Sequence, residues 1–485
     1  MKRLSTDNLP INTPTTSLFS YPRDSSEAGV VHFGVGNFHR THQAIYCDKL
    51  LCQGETQWGI TGVSMRSAHL RDALAPQDFL YTQVTLGPDT GYRIVGALKD
   101  ILVAPEDPGK VIDAVANSNT HIVTVTITEQ GYCLSSGVLD QNHTDICKDT
   151  ASLDHPHTIY GYIAAGIIKR CHNEGTPLTV ICCDNIQGGG DHLQTGVNQL
   201  LAQHCEKSHS WAKQQVAFIS SMVDRVSPAT DEQLKQTVAS QLQLIDEWPV
   251  AAEPFSQWII QDNFAGNRPP FDQVGALFVD DITPFEQMKL RLLNGGHSII
   301  STLGYLAGDQ SIHQALQRPA ILRFVNQTLL NNVLPVTTIP QGSDGKVYIA
   351  QVLSRFQNSA LPYAILQVGT DSSQKIPQRW LPTFDDALER KGDTSYLTFA
   401  LAAWVVYIQQ ALNRGELNDP LREQFGQIEN GDGSNTVRRF LTLVGAEKFH
   451  FFSHSAFMGS VNSHYHAIIG LGIERALDEF LHTVN

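Results

Sequence analysis

The sequence predicts an α/β fold for the first half of the chain and a mainly α-helical second half. Up to about residue 280, short β-branched runs alternate with helix-forming segments, the order that produces right-handed crossovers and a parallel sheet. From residue 284 onward, long segments with helical spacing of apolar residues replace these runs. The residues at 280–284, two aspartates followed by Ile-Thr-Pro, are typical of a helix start. We therefore predict two domains, residues 1–280 and 281–485.

The elements of the first half are predicted in chain order. The apolar run at 30–36 predicts a strand that ends in a glycine turn, and the next segment, 38–51, has helical spacing. A second strand is predicted at 58–64 and a helix at 69–74. Further β-branched runs predict strands at 92–96, 121–128 and 178–183. In the second half, helices are predicted at 285–306, 311–330 and 398–412.

Charge and hydropathy exclude several classes of protein. The 485 residues include 34 Lys and Arg against 48 Asp and Glu, a net charge of −14 without a basic run, so no nucleic-acid partner is expected. The longest apolar stretch, 397–408, is shorter than the roughly 20 residues that cross a membrane, and it predicts a buried helix. The N-terminal residues lack an apolar run, so we expect no secretory signal and no membrane anchor, which favours a cytoplasmic location.

Cysteine usage argues against a disulfide framework. All eight cysteines lie within the first 205 residues, and no Cys-x-x-Cys pair occurs. Cys182 and Cys183 end an apolar run, so they are predicted to be buried thiols.

The glycine turn at Gly34 and Gly36 is the first candidate binding element. It follows a predicted strand and precedes a predicted helix, a context in which glycines let the backbone approach a pyrophosphate. His39 occupies the place of the third glycine of Gly-x-Gly-x-x-Gly, so an ordinary tight turn is the alternative to dinucleotide binding. Arg66 stands near the end of the second strand, where an acidic residue is expected. Arg66 suits either a 2′-phosphate or stacking on adenine, which leaves NAD and NADP both open.

The segment 284–297 is the most informative in the chain. In an α-helix, Glu286, Asn294 and His297 would lie roughly 60°, 140° and 80° from Lys289, so that the four side chains share one broad face. If burial lowers its pKa, Lys289 suits proton transfer to or from a sugar hydroxyl. Asn294 would donate a hydrogen bond to the same oxygen. A solvated polar helix face is the alternative.

Two further features bear on this segment. Gly295 and Gly296 each cost about 1 kcal/mol relative to alanine inside a helix, which predicts a close approach to the backbone, with a substrate or nicotinamide as candidates. Asn185 follows the predicted strand at 178–183, and therefore lies at the carboxyl edge of the sheet, where α/β proteins bind ligands. Asn185 is thus a second candidate donor to the reacting oxygen.

Six segments carry a family resemblance. They are Val-His-Phe-Gly-Val-Gly-Asn-Phe-His-Arg-Thr-His-Gln at 31–43, Thr-Ile-Thr-Glu-Gln-Gly-Tyr at 126–132, Cys-Asp-Asn at 183–185, Met-Val-Asp-Arg-Val-Ser-Pro at 222–228, Lys-Leu-Arg-Leu-Leu-Asn-Gly-Gly-His at 289–297 and Asp-Ser-Ser-Gln-Lys-Ile-Pro-Gln-Arg at 371–379. Together they resemble the mannitol dehydrogenase family, the long-chain polyol and sugar-acid dehydrogenases that use no metal. The resemblance covers close to the whole chain.

The resemblance implies a Rossmann-like N-terminal domain, a mostly α-helical C-terminal domain and a nicotinamide site in the cleft between them. It implies that Lys289 is the general acid/base. Asparagines that match Asn185 and Asn294 form the oxyanion pocket in that family.

Other residues receive supporting roles from the same resemblance. His297 would hold and orient the substrate, Glu286 matches a position associated with proton exchange to solvent, and Asp224 matches one near the substrate. The cofactor expected is NAD, with NADP not excluded. We expect the coenzyme to be bound by Gly34, Gly36, Asn37, Phe38, His39, Arg40, Arg66, Thr128 and Glu129.

The substrate is expected to be a ketose or a keto-sugar acid. The family includes mannitol 2-dehydrogenases, which reduce fructose, and fructuronate or tagaturonate reductases, whose substrates need a cation for the carboxylate. The run from Lys375 to Arg379 resembles the sugar-acid reductases, and these two residues would bind the carboxylate. The residues at 37–39 look more like those of the mannitol enzymes. At 371–373 the sequence has Asp-Ser-Ser, where Asp-Gly-Ser is usual in the family. We expect a fructuronate reductase, that is, a D-mannonate oxidoreductase, with mannitol 2-dehydrogenase as the alternative.

Three other classes fit less well. Short-chain dehydrogenases need Tyr-x-x-x-Lys, which the sequence lacks. A zinc enzyme needs clustered ligands, and His454, His464 and His466 are the sole hint, so no metal is expected. A non-catalytic sugar-binding protein would not need a desolvated lysine such as Lys289. The resemblance favours a monomer that binds a small sugar or sugar acid.

Overall fold

The structure is a computed structural model and describes residues 1–87, 89–135, 137–361, 363–428 and 433–484. The chain divides into two compact units, Met1–Ile282 and Thr283–Asn485. The first unit contains a large mixed sheet with helices, and the described part of the second is mainly helical, as the sequence predicts.

An eight-stranded sheet forms the centre of the first unit. In chain order its strands are β1 (Val30–Phe33), β2 (Ile60–Ser64), β3 (Leu98–Val103), β4 (Ile122–Val125), β5 (Leu178–Cys182), β6 (Val216–Asp224), β7 (Gln257–Gln261) and β8 (Leu277–Val279). Their spatial order is 3-2-1-4-5-6-7-8. Strands β1 to β6 are parallel, and β7 runs antiparallel to β6. The order 3-2-1-4-5-6 is that of a Rossmann sheet, which confirms the predicted Rossmann-like fold.

Both faces of this sheet are buried. Side chains alternate along each strand, so Val30, Ile122 and Ile181 pack in one core while Val31 and Val123 pack in another. Two buried faces explain why the strands are almost continuously apolar. The α-helices of this unit are Asn37–Thr41, Gln43–Cys52, His69–Leu74, Pro108–Ala116, Thr144–Ala151, Ile159–His172, Gly189–His204, Glu206–Gln215 and Glu232–Leu242.

Smaller sheets account for the remaining strands. A four-stranded sheet contains, in spatial order, Val250–Ala252, Tyr81–Thr85, Gly91–Val95 and Thr16–Ser17. The strand predicted at 92–96 therefore exists, but it pairs here with Tyr81–Thr85 and not in the central sheet. Two short pairs join Lys2–Arg3 to Leu244–Ile245 and Leu134–Ser135 to Val138–Leu139. The sequence patterns missed β3 and β6 because polar pairs, at 99–100 and 220–221, interrupt their apolar runs.

The helix predicted at 38–51 is broken in two at His42. This residue has φ −119° and ψ −91°, between the helices Asn37–Thr41 and Gln43–Cys52. Its Nε2 lies 2.9 Å from the carbonyl oxygen of Gln257, and its ring stacks on Phe38 with ring centroids 5.0 Å apart. The long-range contact with Gln257 thus accompanies a break that the continuous helical spacing of the sequence does not show.

The cysteines of the first unit are thiols. None of the eight forms a disulfide. Cys182 and Cys183 are each 1% exposed, which confirms their predicted burial. Burial raises the pKa of Cys183 to about 12, so its thiol stays protonated at neutral pH.

The second unit packs its helices around one core. The helix Ser395–Asn413 contacts Ser455–Leu471 and Gly295–Leu306. It is the one described helix that is long and apolar enough to cross a membrane, but 78% of its most apolar window is buried, as a core helix requires. The other α-helices are Thr283–Met288, Ile312–Leu316, Pro319–Gln327, Gly345–Phe356, Ile365–Gly369, Ser372–Arg379, Leu381–Glu389, Arg422–Gly426, Gly433–Leu443 and Ile473–Thr483.

Two π-helical turns interrupt the helices predicted in this unit. The predicted helix at 285–306 consists of Thr283–Met288, a π turn at Lys289–Asn294 and the helix Gly295–Leu306. The amide of Gly295 donates to the carbonyl of Leu290, five residues back. The predicted helix at 311–330 also breaks: Arg318 is extended before Pro319, and a second π turn occupies Thr328–Val333.

Candidate active site

In the first unit, the sequence-predicted residues gather at the carboxyl ends of the parallel strands. The order of the sheet reverses between β1 and β4, which are paired in register from Val30↔Ile122 to Phe33↔Val125. The glycine turn follows β1, Thr128 follows β4, and Asn185 follows β5. The reversal point of such a sheet is where ligands bind, so these loops form the candidate coenzyme site.

The two glycines of the turn have different surroundings. Gly34 has φ +95°, and a Cβ built on it would lie 1.9 Å from the carbonyl oxygen of Thr126. Gly36 has open space before it, since a Cβ there would meet nothing closer than the Gly34 carbonyl oxygen at 3.9 Å. Gly34 therefore permits the close packing of β1 against the β4 loop, whereas Gly36 leaves room for a ligand against the backbone.

The Asn37 and Arg40 side chains, expected to bind coenzyme, are engaged within the unit. Asn37 Nδ2 donates to the Pro228 carbonyl and to Thr230 Oγ1, each at 3.1 Å. Arg40 is 1% exposed. Its guanidinium donates hydrogen bonds to the Trp248 carbonyl at 2.6 Å and to Asn37 Oδ1 at 2.8 Å. These two side chains brace the turn, and the backbone of the turn is what remains to contact a coenzyme.

His39 and Phe38 also pack inward. The His39 ring stacks on His32 with centroids 3.4 Å apart, and burial is the main cause that lowers the pKa of both imidazoles, to about 3 for His32. His32 contacts Thr124 Oγ1 at 2.7 Å and the Gly34 carbonyl at 3.1 Å, so the neutral pair supports β1 and its turn. Phe38 is half-buried against His42.

Three other expected coenzyme residues lie on neighbouring loops. Arg66 is exposed just beyond β2, and it has no hydrogen bond or ion pair to the described residues. Thr128 is exposed, with the left-handed φ of +69°. The Glu129 side chain lies outside the described part of the chain.

An aspartate that the sequence analysis did not single out connects two of these loops. Asp184 accepts hydrogen bonds from the amides of Ile127 and Thr128, both at 3.0 Å, and from the Tyr132 hydroxyl at 2.8 Å. The next residue, Asn185, is exposed. Asp224 ends β6 opposite Gln257 and is 5% exposed. The sole sequence signal for Asp184 was its place between Cys183 and Asn185.

In the second unit, the π turn changes the geometry predicted for the lysine segment. Lys289 begins the turn and Asn294 ends it, each 8% exposed. A π turn closes with five-residue spacing, so Asn294 lies roughly 40–50° from Lys289 around the axis and not at the 140° of an α-helix. The prediction that Lys289 and Asn294 share a face is right, but the angle predicted for Asn294 was wrong because the π turn adds one residue. Glu286, half-buried, lies in the α-helix before the turn.

Contacts from neighbouring helices hold the π turn. Arg291 forms an ion pair with Asp386 at 2.6 Å and donates to the Val336 carbonyl at 2.8 Å. Arg379 donates to the Asn294 carbonyl at 3.3 Å. Tertiary contacts in the middle of the turn and at its C-terminal end therefore stabilise a conformation that is rare in helices.

The close approach predicted at the glycine pair is made by the protein itself. The Gly295 carbonyl accepts from the Trp380 indole at 3.1 Å, and a Cβ on Gly295 would lie 3.7 Å from the Arg379 carbonyl oxygen. At Gly296 a Cβ would meet Leu329 at 3.3 Å. The described neighbours of the pair are thus packed helices, and the approach of a substrate or nicotinamide to the pair stays a prediction.

His297 sits between two aromatic rings. Its ring stacks on Phe356 and Tyr363, with centroids 4.6 and 4.9 Å away. Burial lowers the pKa of His297 to about 3, with further lowering from the positive charges of Arg379, Lys375 and Arg355. His297 is therefore a neutral imidazole on which three cations act electrostatically.

Two polar atoms near these cations lack partners. The Nδ2 of Asn294 and the Nε2 of His297 are buried and form no hydrogen bond with the described residues. Buried polar atoms are nearly always paired in folded proteins, so these two atoms are candidates for hydrogen bonds to a ligand.

The expected carboxylate residues also make internal contacts. Lys375 Nζ donates to the carbonyls of Val368 and Thr370. Arg379 donates to Ser298 Oγ at 2.8 Å. Arg355, the third cation beside His297, was missed because it belongs to no motif and reaches the site through the fold of the helix Gly345–Phe356.

Two of the three histidines considered for zinc, His464 and His454, have structural roles. His464 packs against Phe399 and Phe480 on the helix Ser455–Leu471, and burial lowers its pKa to about 4. His454 Nδ1 accepts the amide of Phe457 and so caps that helix. Within the described residues, no three His, Cys, Asp or Glu side chains come together in the manner of a metal site.

Comparison with known proteins matches nearly the whole chain. The family model described as the mannitol dehydrogenase Rossmann domain matches residues 28–273, and that of the mannitol dehydrogenase C-terminal domain matches 281–469. The chain is 34% identical to the D-mannonate oxidoreductase of Escherichia coli over 484 residues, 97% of this chain and 98% of that one. It is 36% identical to the mannitol 2-dehydrogenase of Pyrenophora tritici-repentis over 458 residues, 91% of this chain and 80% of that one. A solved ternary complex of Pseudomonas fluorescens mannitol 2-dehydrogenase with NAD and D-mannitol matches with a TM-score of 0.88 and 31% identity, over 99% of both chains.

Proposed function

Because this chain belongs to the mannitol dehydrogenase family, we propose that it is an NAD-dependent oxidoreductase that reduces a keto-sugar acid to the corresponding hydroxy acid. The likeness to both a D-mannonate oxidoreductase and mannitol 2-dehydrogenases supports a polyol or sugar-acid substrate. The choice of the acid rests on the charges of the second unit.

The first unit fits NAD. The open space before Gly36 lets a pyrophosphate lie against the backbone of the turn, and Arg66 is exposed at the end of β2, where the adenosine ribose binds in this fold. When bound, NAD exchanges the hydride with the carbonyl carbon of the substrate. The chain's own part is to hold the coenzyme through the backbone of the glycine turn and of Thr128 and through the Arg66 side chain.

The second unit supplies the proton. Lys289 is the proposed general acid/base, and its 8% exposure shields the proton transfer from bulk water. Asn294 shares its helix face and has an unpaired Nδ2, which suits donation to the oxygen that becomes an alkoxide. We assign Asn185 as the second donor and Asp224 as a substrate contact. Glu286 is proposed to exchange the proton with solvent.

The single observation that carries the choice of an acid is the group of three cations around His297. Arg355, Lys375 and Arg379 all act on this imidazole, which stays neutral and has an unpaired Nε2. A carboxylate forms charge-assisted hydrogen bonds with cations, which are stronger than those that the hydroxyls of a ketose form. His297 would then orient the sugar through a hydroxyl.

The test is a substrate panel. NADH and NADPH oxidation is followed at 340 nm with fructuronate, tagaturonate and fructose in parallel, with and without EDTA. A charge-assisted contact contributes about 1.5–3 kcal/mol, so kcat/KM for a keto acid should exceed that for fructose by about tenfold or more. Turnover of fructose alone would make the protein a mannitol 2-dehydrogenase and contradict the proposal.

Removal of one cation gives a sharper prediction. Arg355→Met is expected to raise KM for the keto acid about tenfold, because a carboxylate contact is lost, while KM for fructose stays within about twofold. The matched control is Arg475→Met, which removes an exposed arginine paired with Glu479 on its own helix. Equal changes for the acid and for fructose would count against a carboxylate contact at Arg355.

A further inference from the structure

Asp184 joins the loops that follow two adjacent parallel strands. It follows β5, and its carboxylate accepts the amides of Ile127 and Thr128, which follow β4. The buried Tyr132 adds its hydroxyl to the same carboxylate. Hydrogen bonds to an ionised carboxylate are stronger than those between neutral groups, so this connection is firm.

The loop held by Asp184 has a strained backbone. Thr128 has φ +69° and ψ 161°, a region that is essentially restricted to glycine and that is least favourable for a β-branched residue. Such a conformation persists only where its surroundings impose it. The two amides bonded to Asp184 are those of Thr128 and the residue before it, so the carboxylate acts directly on the strained peptide.

The residue after Asp184 is the proposed alkoxide donor, Asn185. One carboxylate thus lies between a loop assigned to the coenzyme and a side chain assigned to the substrate oxygen. Because Asp184 is bonded to the Thr128 loop, the position of Asn185 is linked to that loop through a single side chain.

We infer that Asp184 is a positioning residue, which holds Thr128 in its strained conformation and sets Asn185 relative to the bound dinucleotide. The inference rests on the proposed function, since it takes Thr128 and Asn185 as parts of the dinucleotide and substrate sites. Its consequence is that coenzyme affinity and turnover both depend on a carboxylate that contacts neither ligand.

The first experiment compares Asp184→Asn with the unchanged full-length chain. The amide keeps one acceptor oxygen and loses the second, together with the charge, so the NADH dissociation constant should rise about tenfold and kcat should fall about tenfold or more. NADH binding is measured by fluorescence titration without substrate, so that it does not depend on turnover. The control is Asp191→Asn, an exposed aspartate on the helix Gly189–His204, which is expected to change neither quantity.

A second substitution separates positioning from damage to the fold. Thr128→Gly removes the strain, so in the Asp184→Asn background it should restore NADH affinity by several-fold, since glycine adopts this conformation without the carboxylate. Simple loss of folded protein lowers the apparent kcat without changing the dissociation constant, so recovery of NADH affinity in the double variant reports on positioning and not on the folded fraction. If the double variant binds NADH no better than Asp184→Asn, the inference is overturned.

The outcomes remain distinguishable from failure of the proposed function. If the unchanged chain binds no NADH, the proposed function itself is overturned. If the unchanged chain binds NADH and Asp184→Asn has the same dissociation constant and kcat, only the positioning role is overturned. If Asp184→Asn does not fold, Tyr132→Phe removes one donor from the carboxylate and should weaken NADH binding by several-fold. Unchanged affinity in that variant would also overturn the inference.

Discussion

Lys289→Ala is expected to lower kcat by about a thousandfold while NADH still binds. General acid/base catalysis contributes roughly 10²–10⁴ in rate, and alanine leaves no group at this position to exchange the proton. The coenzyme residues proposed above lie in the other unit, so the NADH dissociation constant should change by less than about threefold. Steady-state kinetics and fluorescence titration measure the two quantities.

The matched control is Lys346→Ala, an exposed lysine in the first turn of Gly345–Phe356, which is expected to keep full turnover. Small primary amines added to Lys289→Ala should restore part of the lost rate, because they supply the missing acid in solution. Equal loss of NADH binding and turnover would contradict the acid/base assignment.

Gly34→Ala is expected to have the largest effect on stability. The new Cβ would lie 1.9 Å from the Thr126 carbonyl oxygen, and the residue would keep a φ of +95°. Because the backbone clash adds to the cost of a left-handed conformation, the free energy of unfolding should fall by roughly 3–5 kcal/mol, the upper end for a point substitution. Denaturant unfolding followed by circular dichroism measures the loss.

Gly36→Ala provides the contrast within the same turn. Its Cβ meets nothing closer than 3.9 Å, so the free energy of unfolding should change by less than about 1 kcal/mol. The methyl group would occupy the open space assigned to the pyrophosphate, and NADH affinity should fall about tenfold or more. A stable Gly34→Ala, or a Gly36→Ala with unchanged affinity, would reverse the roles assigned to the two glycines.

Apolar spacing and turn residues predicted several helices and strands correctly. The strand before the glycine turn, the parallel order of β1, β2, β4 and β5, and the buried helix Ser395–Asn413 follow from apolar spacing and turn residues. The π turn could not be predicted, because Lys-Leu-Arg-Leu-Leu-Asn is an ordinary helix-forming run. Its causes are the contacts of Arg291 with Asp386 and of Arg379 with the Asn294 carbonyl, which join residues about 85 to 95 positions apart.

In the candidate site, the motifs predicted which segments are involved but not the contacts of their side chains. The motif at 31–43 located the turn, but it did not reveal that the side chains of Asn37 and Arg40 point to Trp248 and the 228–230 loop. Side-chain direction depends on segments distant in the sequence, which a motif does not describe. Arg355 and Asp184 were missed for the same reason, since each gains its neighbours only in the folded chain.

The π turn also affects how the segment 289–294 compares with related sequences. It holds one surplus residue, so deletion of Leu290, Leu292 or Leu293 would let the helix close as an ordinary α-helix. Asn294 would then lie four α-helical steps from Lys289, about 400° around the axis, which is nearly the direction that it has now. A related sequence that is one leucine shorter here could therefore keep the same polar face without a π turn, so the spacing of Lys289 and Asn294 along the sequence does not by itself fix their direction.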